Sequence, residues 1–294
     1  MIKLRLLFLF APALSSAVSI VLSNDDGWAE KNIRVFYDAL VASGQNVLIS
    51  APAIDRSGTG STDATPVQLG SSGCEFSSCP GGAPAIGNNA SEPRLNYVNA
   101  YPVTAMRYGI QNLSQTILGG PPDLAVSGFN VGGNAGGTVL ISGTVGAASE
   151  AAKEGVPAIA FSGATGSQVG WQTTTETYQK VYADLSSNVT NTLIKAGKPY
   201  LPDGIWLNVN YPSVSDKTCS SASSFVFVLS RINSGSGNDV KTCGSTTLPS
   251  ESQVIKAGCY ASISVAYAAN KTDASIDSQK FVVDKLGSYL GCLS

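Results

Sequence analysis

The chain has 294 residues, 43% of them hydrophobic and only 13% charged, enough for one large domain or two small ones around a sizeable core. A net charge of −2 and a pI near 5.2 argue against a nucleic-acid polymer held by bulk positive charge. No histidine is present, which excludes Ser-His-Asp and Cys-His nucleophile systems and His-ligated metals.

Residues 1–17 read as a signal peptide. Lys3 and Arg5 give a positive n-region, Leu6 to Leu14 a short apolar run, and Ser15-Ser16-Ala17 a small-residue cleavage site. The apolar run is too short to span a bilayer and no later run reaches that length, so no membrane anchor is expected. Removal of the leader takes away two positive charges and no negative ones, from −2 to −4. Six cysteines in an exported chain predict disulfides, and sequence proximity suggests Cys74–Cys79, Cys219–Cys243 and Cys259–Cys292. The alternative is that some are free and buried. Four sequons, at Asn89, Asn112, Asn188 and Asn270, fit surface glycosylation of a secreted protein.

The mature chain opens with a buried-strand run, Val18 to Leu22, that leads into Ser23-Asn24-Asp25-Asp26-Gly27-Trp28. Two adjacent carboxylates repel and raise one another's pKa unless a cation lies between them. A hard divalent cation, which prefers carboxylate and carbonyl oxygen, is the natural compensator. The alternative is a plain Asp-Asp-Gly turn. Residues 29–43 carry apolar positions at helical spacing and end at Gly44; residues 46–50 form a second buried strand. Strand, helix, strand at this spacing predicts a parallel crossover unit, whose ligands bind beyond the carboxyl ends of the strands. The loop that follows, Asp55 to Ser61, is small and hydroxyl-rich, so it reads as a ligand loop or a flexible connector.

Residues 70–92 read as a surface excursion clipped by Cys74 and Cys79. Residues 94–100 read as an edge strand or hairpin and 103–117 as a helix. Pro122 to Gly128 is a strand that reaches the same edge and opens onto Phe129-Asn130-Val131-Gly132-Gly133-Asn134. Ser142-Gly143-Thr144 then starts a helix through 154. That triplet is a good N-cap and also an anion site, since a helix N-terminus presents free N–H groups. Residues 157–162 and 205–210 read as buried strands on either side of a helix over 173–196. From about Ser213 the composition shifts to Ser, Gly, Thr and Cys. Strands are expected at 225–232 and 261–267 and a helix at 275–290, a β-rich appendage and not an independent domain.

Four ordered segments resemble the SurE family of metal-dependent phosphatases and nucleotidases. They are Ile20 to Gly27, Ala51-Pro52 through Arg56-Ser57-Gly58, Pro122 to Asn130 with Gly132 and Asn134, and Ser142 to Glu150. Weaker echoes are Leu207 to Pro212 and Gly258 to Ser264. The resemblance implies a doubly wound, mostly parallel α/β sheet with Rossmann-like topology and a β-rich C-terminal extension that serves dimerisation, so a homodimer is one expectation. Carried over position by position, it implies metal ligation by Asp25, Asp26, Ser57 and Asn130; since the chain has no histidine, Asp25 or Asp26 is expected to be the catalytic group that orients or deprotonates the attacking water. It places Asn134, Ser142, Gly143 and Thr144 by the substrate phosphate, and the oxygen-and-amide ligand set suits Mg²⁺ or Mn²⁺ as cofactor better than zinc.

Two departures stand out. The family's usual Gly-Thr-Pro-x-Asp reads Ala100-Tyr101-Pro102-Val103-Thr104, and its Thr-Asp ahead of the late Gly-Tyr segment is absent. The functional expectation is a secreted phosphomonoesterase for nucleoside monophosphates or similar small phosphate esters. The alternative is a secreted module that binds a phosphate or nucleotide without hydrolysing it.

Overall fold

The computed structural model describes residues 17–235 and 238–294. All of the expected leader except Ala17 lies outside the described residues. The first crossover unit consists of β1 (Ser19–Ser23), α1 (Lys31–Ala42) and β2 (Asn46–Pro52). A hairpin, β3 (Ile86–Asn89) and β4 (Glu92–Val98), follows. Then come α2 (Pro102–Tyr108), a π-helical turn (Gly109–Leu113) and α3 (Ser114–Ile117). The second half holds β5 (Leu124–Val131), α4 (Gly143–Lys153), β6 (Ala158–Gly163), α5 (Thr177–Lys195) and β7 (Ile205–Tyr211). The C-terminal part adds β8 (Val226–Ser230), α6 (Glu251–Lys256), β9 (Tyr260–Tyr267), α7 (Ile276–Leu286) and β10 (Leu290–Gly291).

The ten strands of the described residues join one sheet in the order β10-β8-β9-β7-β6-β5-β1-β2-β4-β3. The run from β4 to β7 is parallel, β3 closes one edge antiparallel to β4, and β9 runs antiparallel to β7. The β-rich extension therefore continues the central sheet. Period-two alternation sends Ile20 and Leu22 to one face and Val21 to the other. On the first face Ile33, Phe36 and Leu40 of α1 and Val181, Leu185 and Val189 of α5 cover the strands. On the other face the small side chains of α4 (Ala147, Ala148, Ala151) pack with Met106 of α2.

The order of the strands positions the site. From β1 the chain moves outward through β2 and β4, then returns to lay β5 on the opposite flank of β1. Strand order reverses there, and a crevice opens beyond the carboxyl ends of β1 and β5. Asp25 and Asp26 follow β1 at that point, and Asn130 lies near the end of β5.

All six cysteines are bridged. Cys74–Cys79 is as expected, but the other two bridges are Cys219–Cys259 and Cys243–Cys292. Sequence proximity failed because β8 and β9 pair in parallel, with Val226 opposite Tyr260. Parallel pairing sets the segments ahead of the two strands side by side, and those carry Cys219 and Cys259. Likewise β10 runs parallel to β8, with Leu290 opposite Phe227, which carries Cys292 past β8 toward the loop that holds Cys243.

Candidate active site

The turn after β1 is tied off locally. The Asn24 amide donates to Gly27 O at 2.9 Å, and Gly27 N–H donates back to Asn24 Oδ1 at 3.2 Å. Gly27 takes φ +110°, and a Cβ there would run into the Glu75 carboxylate. The turn sends the two acids in different directions. Asp25 Oδ2 accepts from Gly143 N–H at 3.0 Å, and Oδ1 accepts from the Thr144 hydroxyl at 2.5 Å. Asp26 Oδ2 accepts from Val131 N–H at 3.0 Å, and Oδ1 from the Gln168 amide at 2.8 Å. The anion received by the first turn of α4 is thus Asp25 itself.

Both acids are buried, with no Lys or Arg paired to either among the described residues. Burial, above all, raises the Asp25 carboxyl, against the hydrogen bond from Thr144. Burial and then the Asp25 charge raise Asp26. Glu30, buried with Oε1 unpartnered, is raised by burial and by Asp26.

Asn130 reaches the site through a register shift in the β5–β6 ladder between Ser127 and Asn130. Gly128 sits at φ +115° there, and a Cβ would lie 2.3 Å from Phe161 O. The Asn130 amide hydrogens go to Val131 O and Gly132 O at 3.0 and 2.8 Å, which identifies Oδ1 as the free end. Thr144 Oγ1 is 3.1 Å from that Oδ1, but its single proton serves the nearer Asp25 carboxylate.

Ser57 lies further out, on an exposed loop, and its hydroxyl donates to Asp55 Oδ1 at 2.7 Å. Arg56 N–H donates to Asp25 O at 2.7 Å and ties this loop to the acidic turn. The Gln168 amide spans Asp26 and Ser57, 3.3 Å from Ser57 Oγ. Nothing local in sequence marks Gln168, which sits in a Gly/Ser-rich loop without a motif.

A cavity of about 220 Å³ brings Asp25, Ser57, Asn130, Asn134 and Ser142 together with Gly132 and Gly133. Of the four residues expected at the phosphate, Asn134 and Ser142 line this cavity. Gly143 and Thr144 stand behind Asp25. Ser142 caps α4 by accepting from Val145 N–H at 3.1 Å. The Asn134 amide donates to Ser162 Oγ at 2.9 Å. A larger cavity, about 490 Å³, surrounds Cys243 and Cys292 and shares no lining residue with this one.

The donor set suits a hard divalent cation: two carboxylates, one free amide oxygen and one hydroxyl, with no nitrogen or sulfur ligand. Among the described residues no group of three His, Cys, Asp or Glu side chains is placed to hold a metal. A cation here would rest on two carboxylates and complete its coordination with neutral oxygens.

Both expected departures take physical form. Thr104 donates to Asp63 Oδ1 at 2.6 Å, and Arg107 bridges Asp63 and Glu150, so a carboxylate from the Ser57 loop meets the position. Ahead of Gly258 the chain carries a hydroxyl and an acid, Ser250 and Glu251; Ser250 caps α6. Tyr101 lies under the Arg56 guanidinium, 5.3 Å from it to the ring centroid.

Fold and site define an α/β protein with a crevice at its topological switch point that is lined by Asp25 and neutral polar groups, with Asp26 buried next to Asp25 in the same turn. The chain belongs to the SurE family: the family model described as Survival protein SurE matches residues 20–226. An acid phosphatase of Yarrowia lipolytica is 35% identical across 86% of this chain and 80% of its own length. A 5'-nucleotidase SurE of Lawsonia intracellularis is 34% identical across 68% of each chain. The crystal structure of the SurE protein from Aquifex aeolicus shares the fold. Its TM-score is 0.60 at 20% identity, covering 85% of this chain and 93% of that one.

Proposed function

We propose that the chain is a secreted, divalent-metal-dependent phosphomonoesterase that hydrolyses nucleoside monophosphates or similar small phosphate esters. Its membership of the family and its likeness to an acid phosphatase and a 5'-nucleotidase support phosphatase chemistry. The observation that carries the metal dependence is the pair of buried carboxylates with no basic partner among the described residues. Asp25, Asp26, Asn130 and Ser57 would hold Mg²⁺ or Mn²⁺. Such an ion, when bound, supplies a Lewis acid for the phosphoryl oxygens and lowers the pKa of water.

The chain's own groups do the rest. Asn134, Ser142 and the Gly132-Gly133 backbone line the place for the phosphoryl group. Asp25 is held by Gly143 and Thr144, and Asp26 by Val131 and Gln168, so each carboxylate has a fixed aim. With no histidine in the chain, one of these carboxylates orients the attacking water and accepts its proton. The three disulfides fit an oxidising compartment. Sequon residues Asn112, Asn188 and Asn270 are exposed and open to glycosylation.

The test is phosphate release from p-nitrophenyl phosphate and a panel of nucleoside monophosphates after chelator treatment, with Mg²⁺ or Mn²⁺ restored. Release that returns with metal and is lost in Asp26→Asn supports the reading. Binding of a nucleotide with no release under any metal would replace it with the non-catalytic module.

A further inference from the structure

The loop that carries Asn134 is pinned from below by residues outside the crevice. Asn210 Oδ1 accepts from Asn134 N–H at 2.7 Å, and its amide donates to Asn134 O at 3.3 Å. The Asn208 amide also donates to Asn134 O, at 2.9 Å, so both main-chain polar atoms of Asn134 are held by β7. Asn208 is held in turn: its amide donates at 2.7 Å to Oε1 of Glu251, in the first turn of α6. Glu251 Oε2 accepts from Gly136 N–H at 2.9 Å, two residues beyond Asn134. One carboxylate thus grips the phosphate loop twice, directly at Gly136 and through Asn208 at Asn134.

Glu251 is fully buried, and the nearby Arg231 guanidinium pairs with Asp239 and Asp273. Above about pH 7, where it is ionised, the Glu251 carboxylate is therefore met by hydrogen-bond donors alone, a costly arrangement for a role in packing. What a carboxylate offers here is two acceptor oxygens aimed at two donors on different segments. An amide offers one oxygen and would turn an N–H against a donor. Helix α6 is itself firmly anchored, since Ser250 and Gln253 form a capping box and Glu251 N–H donates to Arg231 O at 2.9 Å.

We propose that Glu251 is a positioning residue of the active site, by which the C-terminal extension fixes the 132–137 loop in the conformation that receives the phosphoryl group. The proposal rests on the reading of the Asp25 cavity as a phosphate-ester site. Its signature falls on affinity for phosphate, since Glu251 touches the loop and neither acid.

The test compares wild type, Glu251→Gln and Glu251→Asp in p-nitrophenyl phosphate kinetics. It adds inorganic phosphate as competitive inhibitor, direct calorimetry with inorganic phosphate, and melting temperature. KM and the phosphate inhibition constant are expected to rise about tenfold in Glu251→Gln while kcat changes less than about threefold. Glu251→Asp, which keeps both acceptor oxygens, is expected to recover part of the loss. Unchanged KM and inhibition constant beside a lowered melting temperature would overturn the proposal, as would an Asp variant no better than Gln. If Glu251→Gln does not fold, Asn208→Ser, which removes the bridging amide, carries the same comparison. A wild type that binds phosphate without hydrolysis refutes the enzymatic reading alone, and calorimetry then decides on Glu251. A wild type that neither hydrolyses nor binds overturns both.

Discussion

Asp25 and Thr144 join the end of β1 to the first turn of α4 through a hydroxyl–carboxylate hydrogen bond of 2.5 Å. The contact spans 119 residues of sequence and lies wholly in the interior. The hydroxyl aims one oxygen of Asp25 and leaves the Asn130 amide oxygen free.

Thr144→Val keeps the shape and removes the donor. The cost to stability is expected at about 1–3 kcal/mol, the usual penalty of an unsatisfied buried group. Activity should fall by more than tenfold, since the carboxylate loses its aim. Thr144→Ser should retain most of both. Thermal melts and steady-state kinetics on the three proteins check this; a fully active Val variant would refute the assignment.

Gly143→Ala tests how closely the two segments approach. A Cβ there would stand 2.8 Å from Asp25 Cβ and 2.9 Å from Pro102 Cγ. No strained backbone is involved, so the effect comes from displacement of Asp25 and of the start of α2. Loss of activity larger than the loss of stability is expected. An Ala variant with wild-type kinetics would contradict the tight packing around Asp25.

Gln168→Leu removes the side chain that bridges Asp26 and Ser57. Metal affinity, measured by Mn²⁺ titration, should weaken several-fold while the fold persists, because Gln168 lies on a loop. Unchanged Mn²⁺ affinity would reduce Gln168 to a rim residue.

Stability in chelator should fall as pH rises. Burial, above all, pushes Glu75 up to about 8 and Glu251 up to about 7, from ordinary values near 4.5. Asp55 and Asp26 add to the first shift, and Asp273 adds to the second against three hydrogen bonds. An acid whose folded pKa lies above its unfolded value holds its proton more tightly when folded. Its contribution is present below the unfolded value and is lost as pH rises through the folded one. Melting temperature without metal should therefore decline from near pH 4.5 to near pH 8, and an excess of Mg²⁺ or Mn²⁺ should recover part of the loss at the upper end. A rise across that window would contradict the charge assignment.

What the sequence disclosed was local. Ile20 to Leu22 followed by Asp25-Asp26 marks a strand end with a charge problem, and Ser142 marks a helix start, because each signal fits within a few residues. The occupant of that helix start was not legible: Asp25 approaches it from 118 residues away, through strand neighbours that sequence spacing does not encode. Gln168 escaped notice for the same reason. Glu251 was hidden further, since its meaning depends on α6 lying beside β7, and the two crossed disulfides depend on strand direction. Local pattern identified the groups that carry charge, and sheet order decided which of them meet.

The most direct measurement is calorimetric titration of Mn²⁺ into chelator-stripped wild type and Asp26→Asn, with phosphate release followed on the same samples. The account predicts saturable binding to wild type that restores turnover, with both binding and turnover lost in the variant. Turnover in stripped wild type, or equal Mn²⁺ binding and turnover in the variant, would contradict it.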